Sequence, residues 1–204
     1  MVVIVNYGSG NIQAIANIYD SLKVEYRIAT SFQDLTNATK IILPGVGAFD
    51  QTMGKLESSG FVEKLNKLVL VDKIPILGIC VGMQVLANGS EEGTKRGLGW
   101  IKGQVKKFDK DLIESKPKIP HLGWNSISLI KDSSLFCNVN QNDGFYFIHS
   151  YYFETDSKDD ILTESFYGKK FSSSVNRENI YGVQFHPEKS HKNGINLLKN
   201  FSEL

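Results

Sequence analysis

In the first 87 residues, short β-rich apolar runs alternate with stretches of helical periodicity, and this alternation limits the possible folds more than any other feature. The apolar runs occupy residues 2–5, 25–29, 41–43 and 74–79. Helical spacing follows at residues 12–22, 53–71 and 81–87. Such an alternation is typical of a mostly parallel sheet covered by helices on both faces. We therefore predict a doubly wound α/β fold, with functional residues beyond the carboxyl ends of its strands.

The second half of the chain has a different pattern, in which β-rich runs are separated by polar turns. These runs lie at residues 98–108, 126–130, 144–153, 161–166, 171–175 and 180–185. A short helical pattern at residues 195–201 ends the chain, and we find no internal repeat, low-complexity segment or linker. We therefore predict that residues 1–204 form a single α/β domain with β-rich additions in its second half.

Composition and charge exclude several classes of function. The 23 Lys and Arg residues balance 22 Asp and Glu residues, so the net charge of +1 gives no electrostatic footprint for nucleic acid or an anionic membrane. No apolar run is long enough to span a bilayer, and no basic residue precedes the apolar start, so we expect a cytoplasmic protein. The two cysteines, Cys80 and Cys137, exclude a disulfide scaffold. The cysteines and histidines lack metal-ligand spacing, so we predict no metal. Gln13 stands where a dinucleotide fingerprint needs its third glycine, so we predict no cofactor.

The sharpest local motif is GICVG at residues 78–82, between a predicted strand and a predicted helix. A nucleophile flanked by small residues at such a turn is the nucleophile-elbow arrangement. Cys80 would stand at the start of the helix, where the helix dipole favours thiolate over thiol. Taken alone, the motif fits equally well a Cys80 that is a small buried hydrophobe in a packed strand.

A second motif, HPE at residues 186–188, follows the last β-rich run. His186 and Glu188 are two residues apart, so in extended chain their side chains point the same way. A cysteine nucleophile needs a base, and the base needs an acidic partner to orient its ring. In isolation the pair is better explained as a strand-end histidine and a solvated acid. Together with Cys80, it favours a Cys-His-Glu triad.

Acyl chemistry also needs donors for a developing oxyanion. The backbone N–H of Val81 directly follows the nucleophile and is one natural donor. The segment PGVG at residues 44–47 ends another predicted strand and offers the amides of Gly45, Val46 and Gly47. The alternative for this segment is an ordinary strand-to-helix turn.

The segments PGVG (44–47), GICVGMQ (78–84) and HPE (186–188), in this order and spacing, resemble the class I (triad) glutamine amidotransferase family. Further matches at residues 6–11, 120–125 and 145–151 make the chain most similar to the histidine-pathway glutaminase branch of that family. The resemblance covers nearly the whole chain. It implies a flavodoxin-like class I glutaminase fold and an enzyme that hydrolyses L-glutamine to glutamate and ammonia.

The resemblance also implies a role for each residue of the triad. Cys80 would attack the side-chain amide of glutamine, His186 would shuttle protons, and Glu188 would orient His186. The Val81 amide and the strand that contains Gly45, Val46 and Gly47 would form the oxyanion hole.

By position in the family's motifs, Gln84 and Glu92 would hold the α-amino and carboxylate ends of the substrate. The backbone around His149, Ser150 and Tyr151 would help them. Both side chains also fit simpler roles, Gln84 as an exposed residue of the elbow helix and Glu92 as a solvated loop acid.

In this branch, ammonia passes to a partner, a synthase or cyclase subunit with a (β/α)₈ barrel, and serves histidine biosynthesis in a heterodimer. Asn11, Trp124, Tyr146 and Lys189 match positions that face or contact that partner. Asn11 could also cap the first helix, and Trp124 fits core packing as well as an interface.

The identity of the ammonia acceptor stays open. A paralogous glutaminase subunit that supplies a sugar amidotransferase for surface-polysaccharide synthesis is the main alternative. Asn6 stands where Asp is common in the family, and Ala14 where an interface asparagine is frequent. A catalytically silent subunit is disfavoured by the intact triad, and a peptide hydrolase by Gln84 and the PGVG segment.

Overall fold

A computed structural model describes residues 1–114, 116 and 118–204. The elements of the first half follow the predicted alternation of strands and helices. They are β1 (Val2–Val5), α1 (Ile12–Leu22), β2 (Tyr26–Ala29), β3 (Lys40–Gly45), α2 (Phe49–Ser58), α3 (Phe61–Asn66), β4 (Ile76–Cys80) and α4 (Val81–Gln84). A π-helical turn at Lys67–Val71 continues α3.

The second half is dominated by strands and ends in the longest helix of the described residues. Its elements are β5 (Gly89–Ser90), β6 (Gly103–Lys107), β7 (His121–Asn125), β8 (Ser128–Leu129), β9 (Phe145–His149), β10 (Tyr151–Thr155), β11 (Ile161–Tyr167), β12 (Lys169–Arg177), β13 (Ile180–Val183) and α5 (His191–Glu203).

One large sheet organises the chain. Its first five strands, in the order β2-β1-β3-β4-β13, are all parallel to one another. The sheet continues as β12-β10-β6-β5. Beside this path, β11 pairs with β12 and β8 pairs with β11. The strands β7 and β9 form a separate antiparallel pair. The order of the parallel part is that of flavodoxin-like sheets. The predicted α/β fold is confirmed.

The helices contact one another in two groups. α1 contacts α5, while α2 contacts α3 and α4. The strands β1 and β4 are buried along their full length, which explains why their sequences are unbroken apolar runs. Within the described residues, no helix combines the length and apolar character needed to cross a membrane.

The predicted run at residues 98–108 shortens to β6, and the predicted helix at 81–87 shortens to α4. Both differences have one cause. The amides of Leu98, Gly99 and Ile101 donate to the carbonyls of the three residues that follow α4, at positions 85–87. This pairing takes the first part of the apolar run out of the sheet and ends the helix.

The predicted run at residues 144–153 is two strands. The chain breaks at Ser150, so that β9 leaves the large sheet to pair with β7, while β10 pairs with β6 and β12. The strand β7 was not predicted, because its sequence HLGWN lacks the β-branched residues that signal a strand. Its partner β9 supplies the backbone pairing instead.

The strand register brings the chemical motifs to one edge of the sheet. Gly45 of β3 is paired with Cys80 of β4, and on the other side Val183 of β13 is paired with Ile79. The residues that follow β13, beginning with Gln184, therefore lie beside Cys80. This is the edge where ligands bind in open parallel sheets.

The start of α4 lies directly against the backbone of β3. A Cβ on Gly82 would stand 1.9 Å from the carbonyl oxygen of Leu43, and one on Gly45 would stand 2.5 Å from the amide nitrogen of Gly82. Backbone atoms cannot move aside as flexible side chains can. These glycines are required by the close approach of two backbones.

We predict that Gly82→Ala lowers the free energy of unfolding by about 2–3 kcal/mol, because its methyl group overpacks against backbone. The matched control is Gly54→Ala in α2, where the nearest atom to the new methyl is a Lys95 side-chain carbon at 3.6 Å. That change should raise the free energy of unfolding by about 0.5–1 kcal/mol through helix propensity. Urea denaturation of both variants measures the difference. Equal effects of the two substitutions would contradict the close approach.

Candidate active site

Cys80 occupies a strained turn between β4 and α4. Its φ of 55° and ψ of −114° place it in a region that side chains other than glycine rarely adopt. The residue is 4% exposed and lines a cavity at the carboxyl edge of the sheet. Such strain at the junction of a strand and a helix is what a nucleophile elbow requires.

His186 and Glu188 form a buried pair beside Cys80. The Nδ1 atom of His186 lies 2.7 Å from Oε1 of Glu188, and both side chains are almost fully shielded from solvent. The side-chain amide of Asn11 donates to the same carboxylate oxygen at 2.9 Å. Asn11 therefore does not cap α1 with its side chain, contrary to the sequence-based expectation.

The contact between His186 and Glu188 favours the charged form of both side chains. Burial alone would lower the pKa of His186, but hydrogen bonds to Cys80 and Glu188 outweigh it and raise that pKa. Burial alone would raise the pKa of Glu188, but the hydrogen bond and charge of His186, together with the hydrogen bond from Asn11, outweigh it and lower that pKa. The arrangement can thus hold an imidazolium next to the Cys80 sulfur and fix the orientation of the ring.

On the other side of Cys80 lies the PGVG segment. The N–H of Val46 donates to Oγ of Ser9 at 2.9 Å, and the same hydroxyl donates to the Val46 carbonyl at 3.0 Å. The Val46 amide is thereby engaged by the loop after β1. Gly47 has a φ of 96°, so its backbone adopts a conformation that favours glycine.

A cavity of about 460 Å³ opens between these groups, a size suited to a small ligand. Most residues predicted for the site share it. Its walls consist of Asn11, Val46, Gly47, Cys80, Val81, Gln84, Glu92, Pro120, Ile148, His149, Ser150, Tyr151, His186 and Lys189. Of the predicted residues, Gly45, Glu188, Trp124 and Tyr146 lie outside the walls. No cluster of three or more His, Cys, Asp or Glu side chains that could hold a metal occurs among residues 1–114, 116 and 118–204.

Gln84 and Glu92 are both anchored to the walls of the cavity. Gln84 is 3% exposed, so the alternative of an exposed helix residue is wrong. Its side-chain Nε2 donates to the Tyr151 carbonyl at 3.1 Å and to Oε1 of Gln184 at 2.9 Å. Glu92 accepts the backbone N–H of Phe49 at 2.8 Å, which places its carboxylate at the start of α2. Gln184 was not among the predicted residues.

His149 of the cavity wall is one half of a buried histidine pair. Nδ1 of His149 lies 2.7 Å from the Tyr151 carbonyl, and Nε2 of His149 lies 2.9 Å from Nδ1 of His121. A carbonyl can only accept, so His149 carries its proton on Nδ1 and accepts on Nε2 from His121. The far nitrogen of His121 then accepts from the Asn125 amide at 3.1 Å. His121 was not predicted from sequence either.

The outer face of the β7–β9 pair is apolar and exposed beside the cavity. Leu122 opposes Ile148 and Trp124 opposes Tyr146 across the two strands. Trp124 is 48% exposed, so it is not a core residue. The ammonium group of Lys189 lies 5.6 Å from the centre of the Tyr146 ring. An exposed apolar surface next to a cavity is typical of an interaction surface.

Known proteins with a similar sequence or a similar fold were found for this chain. The family described as glutamine amidotransferase class-I matches residues 3–203. The imidazole glycerol phosphate synthase subunit HisH of Leptospira interrogans and that of Bdellovibrio bacteriovorus are each 50% identical over 204 residues, 100% of both chains. The solved structure of PurLQS from Thermotoga maritima is 15% identical. The match covers 98% of this chain and 96% of that chain, with a TM-score of 0.73, and shows a shared fold.

We predict that the histidine pair makes the folded protein less stable at acidic pH. Burial lowers the pKa of His121 to about 4 and of His149 to about 3, against an ordinary value near 6.5. Below pH 6.5 the unfolded chain therefore binds two protons that the folded chain does not. The free energy of unfolding should fall with pH from about 6.5 to about 4, by about 1.4 kcal/mol per pH unit for each histidine.

The substitution His121→Phe tests this linkage, because the ring stacks between Phe147 and Tyr167 and an aromatic replacement keeps that packing. Urea unfolding at several pH values measures the free energy of unfolding. Between about pH 4.5 and 6 its dependence on pH should be less steep in His121→Phe than in the unsubstituted protein, by about 1.4 kcal/mol per pH unit. A slope identical to that of the unsubstituted protein would contradict a neutral buried His121.

Proposed function

The chain belongs to the class I glutamine amidotransferase family, and on that premise we propose that it is the glutaminase subunit of an imidazole glycerol phosphate synthase in histidine biosynthesis. The observation that carries the chemistry is the buried Cys80, His186 and Glu188 arrangement at the cavity. The relatives that are 50% identical over the full length support the choice of synthase.

The proposed reaction begins with attack of the Cys80 sulfur on the side-chain amide carbon of L-glutamine. The carbonyl electrons move to oxygen, and the Val81 N–H stabilises the resulting oxyanion. His186 gives its proton to the leaving nitrogen, so that ammonia departs and a thioester remains. Water, deprotonated by His186, then attacks the thioester and releases glutamate, while Glu188 keeps the imidazole oriented throughout.

Substrate binding would use the opposite wall of the cavity. Both hydrogens on Nε2 of Gln84 are used within the protein, so its Oε1 is the atom available to a ligand and suits the α-ammonium group of glutamine. The Glu92 carboxylate supplies a second acceptor for that ammonium. Backbone at His149, Ser150 and Tyr151 would receive the substrate carboxylate.

The PGVG segment would act as a control point. The oxyanion hole requires donors that point to the reacting carbonyl, and the N–H of Val46 instead donates to Ser9. In this conformation Val46 cannot contribute, whereas Val81 can. We propose that the chain on its own is a weak glutaminase and that the partner frees the segment.

The apolar face of β7 and β9 would receive that partner, a (β/α)₈-barrel synthase or cyclase subunit. Leu122, Trp124 and Ile148 are exposed there, and Asn11 and Lys189 line the adjoining cavity. Ammonia released at Cys80 could then cross directly into the partner. We further propose that residues 1–204 act as one amidotransferase domain in the cytoplasm.

The central experiment mixes the chain with a candidate cyclase partner and measures glutamate release with and without the cyclase substrate. We expect Cys80→Ala to lower glutamine-dependent turnover by at least about 10⁴-fold, because the nucleophile is lost. Synthesis from added ammonium salt, and binding to the cyclase, should persist. Cys137→Ala changes the exposed second cysteine and serves as the matched control. Glutamine-dependent turnover retained in Cys80→Ala would refute the nucleophile.

A second prediction concerns the Ser9 hydroxyl. In Ser9→Ala the hydrogen bond that holds the Val46 N–H is lost, while the Thr52 hydroxyl still donates to the Val46 carbonyl at 3.4 Å. Because the N–H is the group that the oxyanion hole needs, the basal glutaminase rate without partner should rise by about three- to tenfold. The rate with partner and its ligand should change little, because there the segment is already free. Ser21→Ala, at an exposed serine of α1, is the control. A basal rate unchanged by Ser9→Ala would show that Ser9 does not restrain Val46.

A further inference from the structure

Gln184 is a fully buried polar side chain that lies between the two halves of the site. It follows β13, and its backbone N–H donates to Ser173 of β12 at 2.9 Å. Its side chain reaches Gln84 in one direction and Cys80 in the other. A buried amide at such a place must have its donors and its acceptor matched.

The hydrogen-bond direction at Gln184 follows from one carbonyl. The Tyr151 carbonyl can only accept, so the atom of Gln84 that faces it is the nitrogen Nε2. The same nitrogen faces Gln184 at 2.9 Å, and the atom it meets must therefore be the acceptor Oε1. This leaves Nε2 of Gln184 to face the Cys80 sulfur, at 3.7 Å. Gln184 is thus a donor to the nucleophile.

Assuming the proposed glutaminase chemistry, we propose that Gln184 is a further catalytic residue, whose amide N–H stabilises the Cys80 thiolate and ties it to the substrate-binding Gln84. A hydrogen bond to the ionised form of a group favours that form. The donor also lies where the thiolate must re-form when the thioester is hydrolysed. A ligand held by Gln84 would fix the amide of Gln84, and through it the amide of Gln184.

Two ionisable side chains near the Cys80 sulfur, His186 and Tyr7, do not serve as permanent donors to it. Ionisable side chains reach the sulfur from two directions, His186 from the segment after β13 and Tyr7 from the loop after β1. His186 is needed as the proton carrier and gives up its proton during the reaction. Burial raises the pKa of Tyr7, and its hydroxyl donates to the Pro44 carbonyl. Gln184 can donate to the sulfur without change of charge at every stage.

The test is the rate of Cys80 alkylation by iodoacetamide in the full chain, followed at the Cys80 peptide by mass spectrometry so that Cys137 does not interfere. Gln184→Met keeps the length of the side chain and removes both the donor to Cys80 and the acceptor for Gln84. Alkylation at pH 7 should slow by about tenfold. It should return to the unsubstituted rate near pH 10, which is well above the ordinary thiol pKa of about 8.5. Gln104→Met, at an exposed glutamine of β6, should leave the rate unchanged.

A second variant distinguishes the loss of the donor from misfolding of the protein. Gln184→Glu keeps an acceptor for Gln84 but places a carboxylate beside the sulfur, so alkylation at pH 7 should slow at least as much. Glutamine assays with partner should show a lower kcat in both variants. KM should change little in Gln184→Glu, which still accepts from Gln84, and should rise in Gln184→Met, which does not. Unsubstituted alkylation rates at pH 7, or a deficit that persists at pH 10, would overturn the proposal. Alkylation needs no glutamine turnover, so this outcome is distinguishable from failure of the glutaminase assignment.

Discussion

The site depends on how closely the start of α4 lies against β3 and β4. Gly82 approaches the Leu43 carbonyl, and both Gly45 and Gly78 approach backbone atoms of Gly82, so a side chain at any of the three would collide with main chain. This contact forces Cys80 into its strained conformation at the end of β4. Because Cys80 cannot relax into the sheet, its sulfur stays at the edge where the neighbouring strands β3 and β13 end.

Three of the four histidines are buried, and their surroundings act in two opposite ways. His186 is stabilised as a cation, because the Glu188 carboxylate and the Cys80 sulfur offset the loss of water. In the part of the chain that the structure describes, no carboxylate hydrogen-bonds to His121 or His149. Burial keeps both neutral, joined in a line from Asn125 to the Tyr151 carbonyl. The first arrangement suits proton transfer. The second fixes backbone that forms the opposite wall of the cavity.

The elements whose local pattern agrees with their burial are predictable from the sequence. The alternation of apolar runs and helical spacing was enough for the parallel sheet, since buried strands must be apolar throughout. It was not enough for β7 or for the break at Ser150, because these depend on which strand offers a free edge. Gln184 carried a usable signal that was missed, since it precedes His186 by two residues and therefore lies on the same side of the extended chain.

Periodicity and residue type are local properties, so the fold class and the side chains capable of chemistry can be read from residue order alone. The contacts of each of those side chains depend on the folded chain. Asn11 binds Glu188 and not its own helix, and the Val46 amide is engaged by Ser9. These pairings join residues 177 and 37 positions apart in the chain. Hydrogen bonds act over about 3 Å, so they are settled only when the sheet brings distant strand ends to one edge.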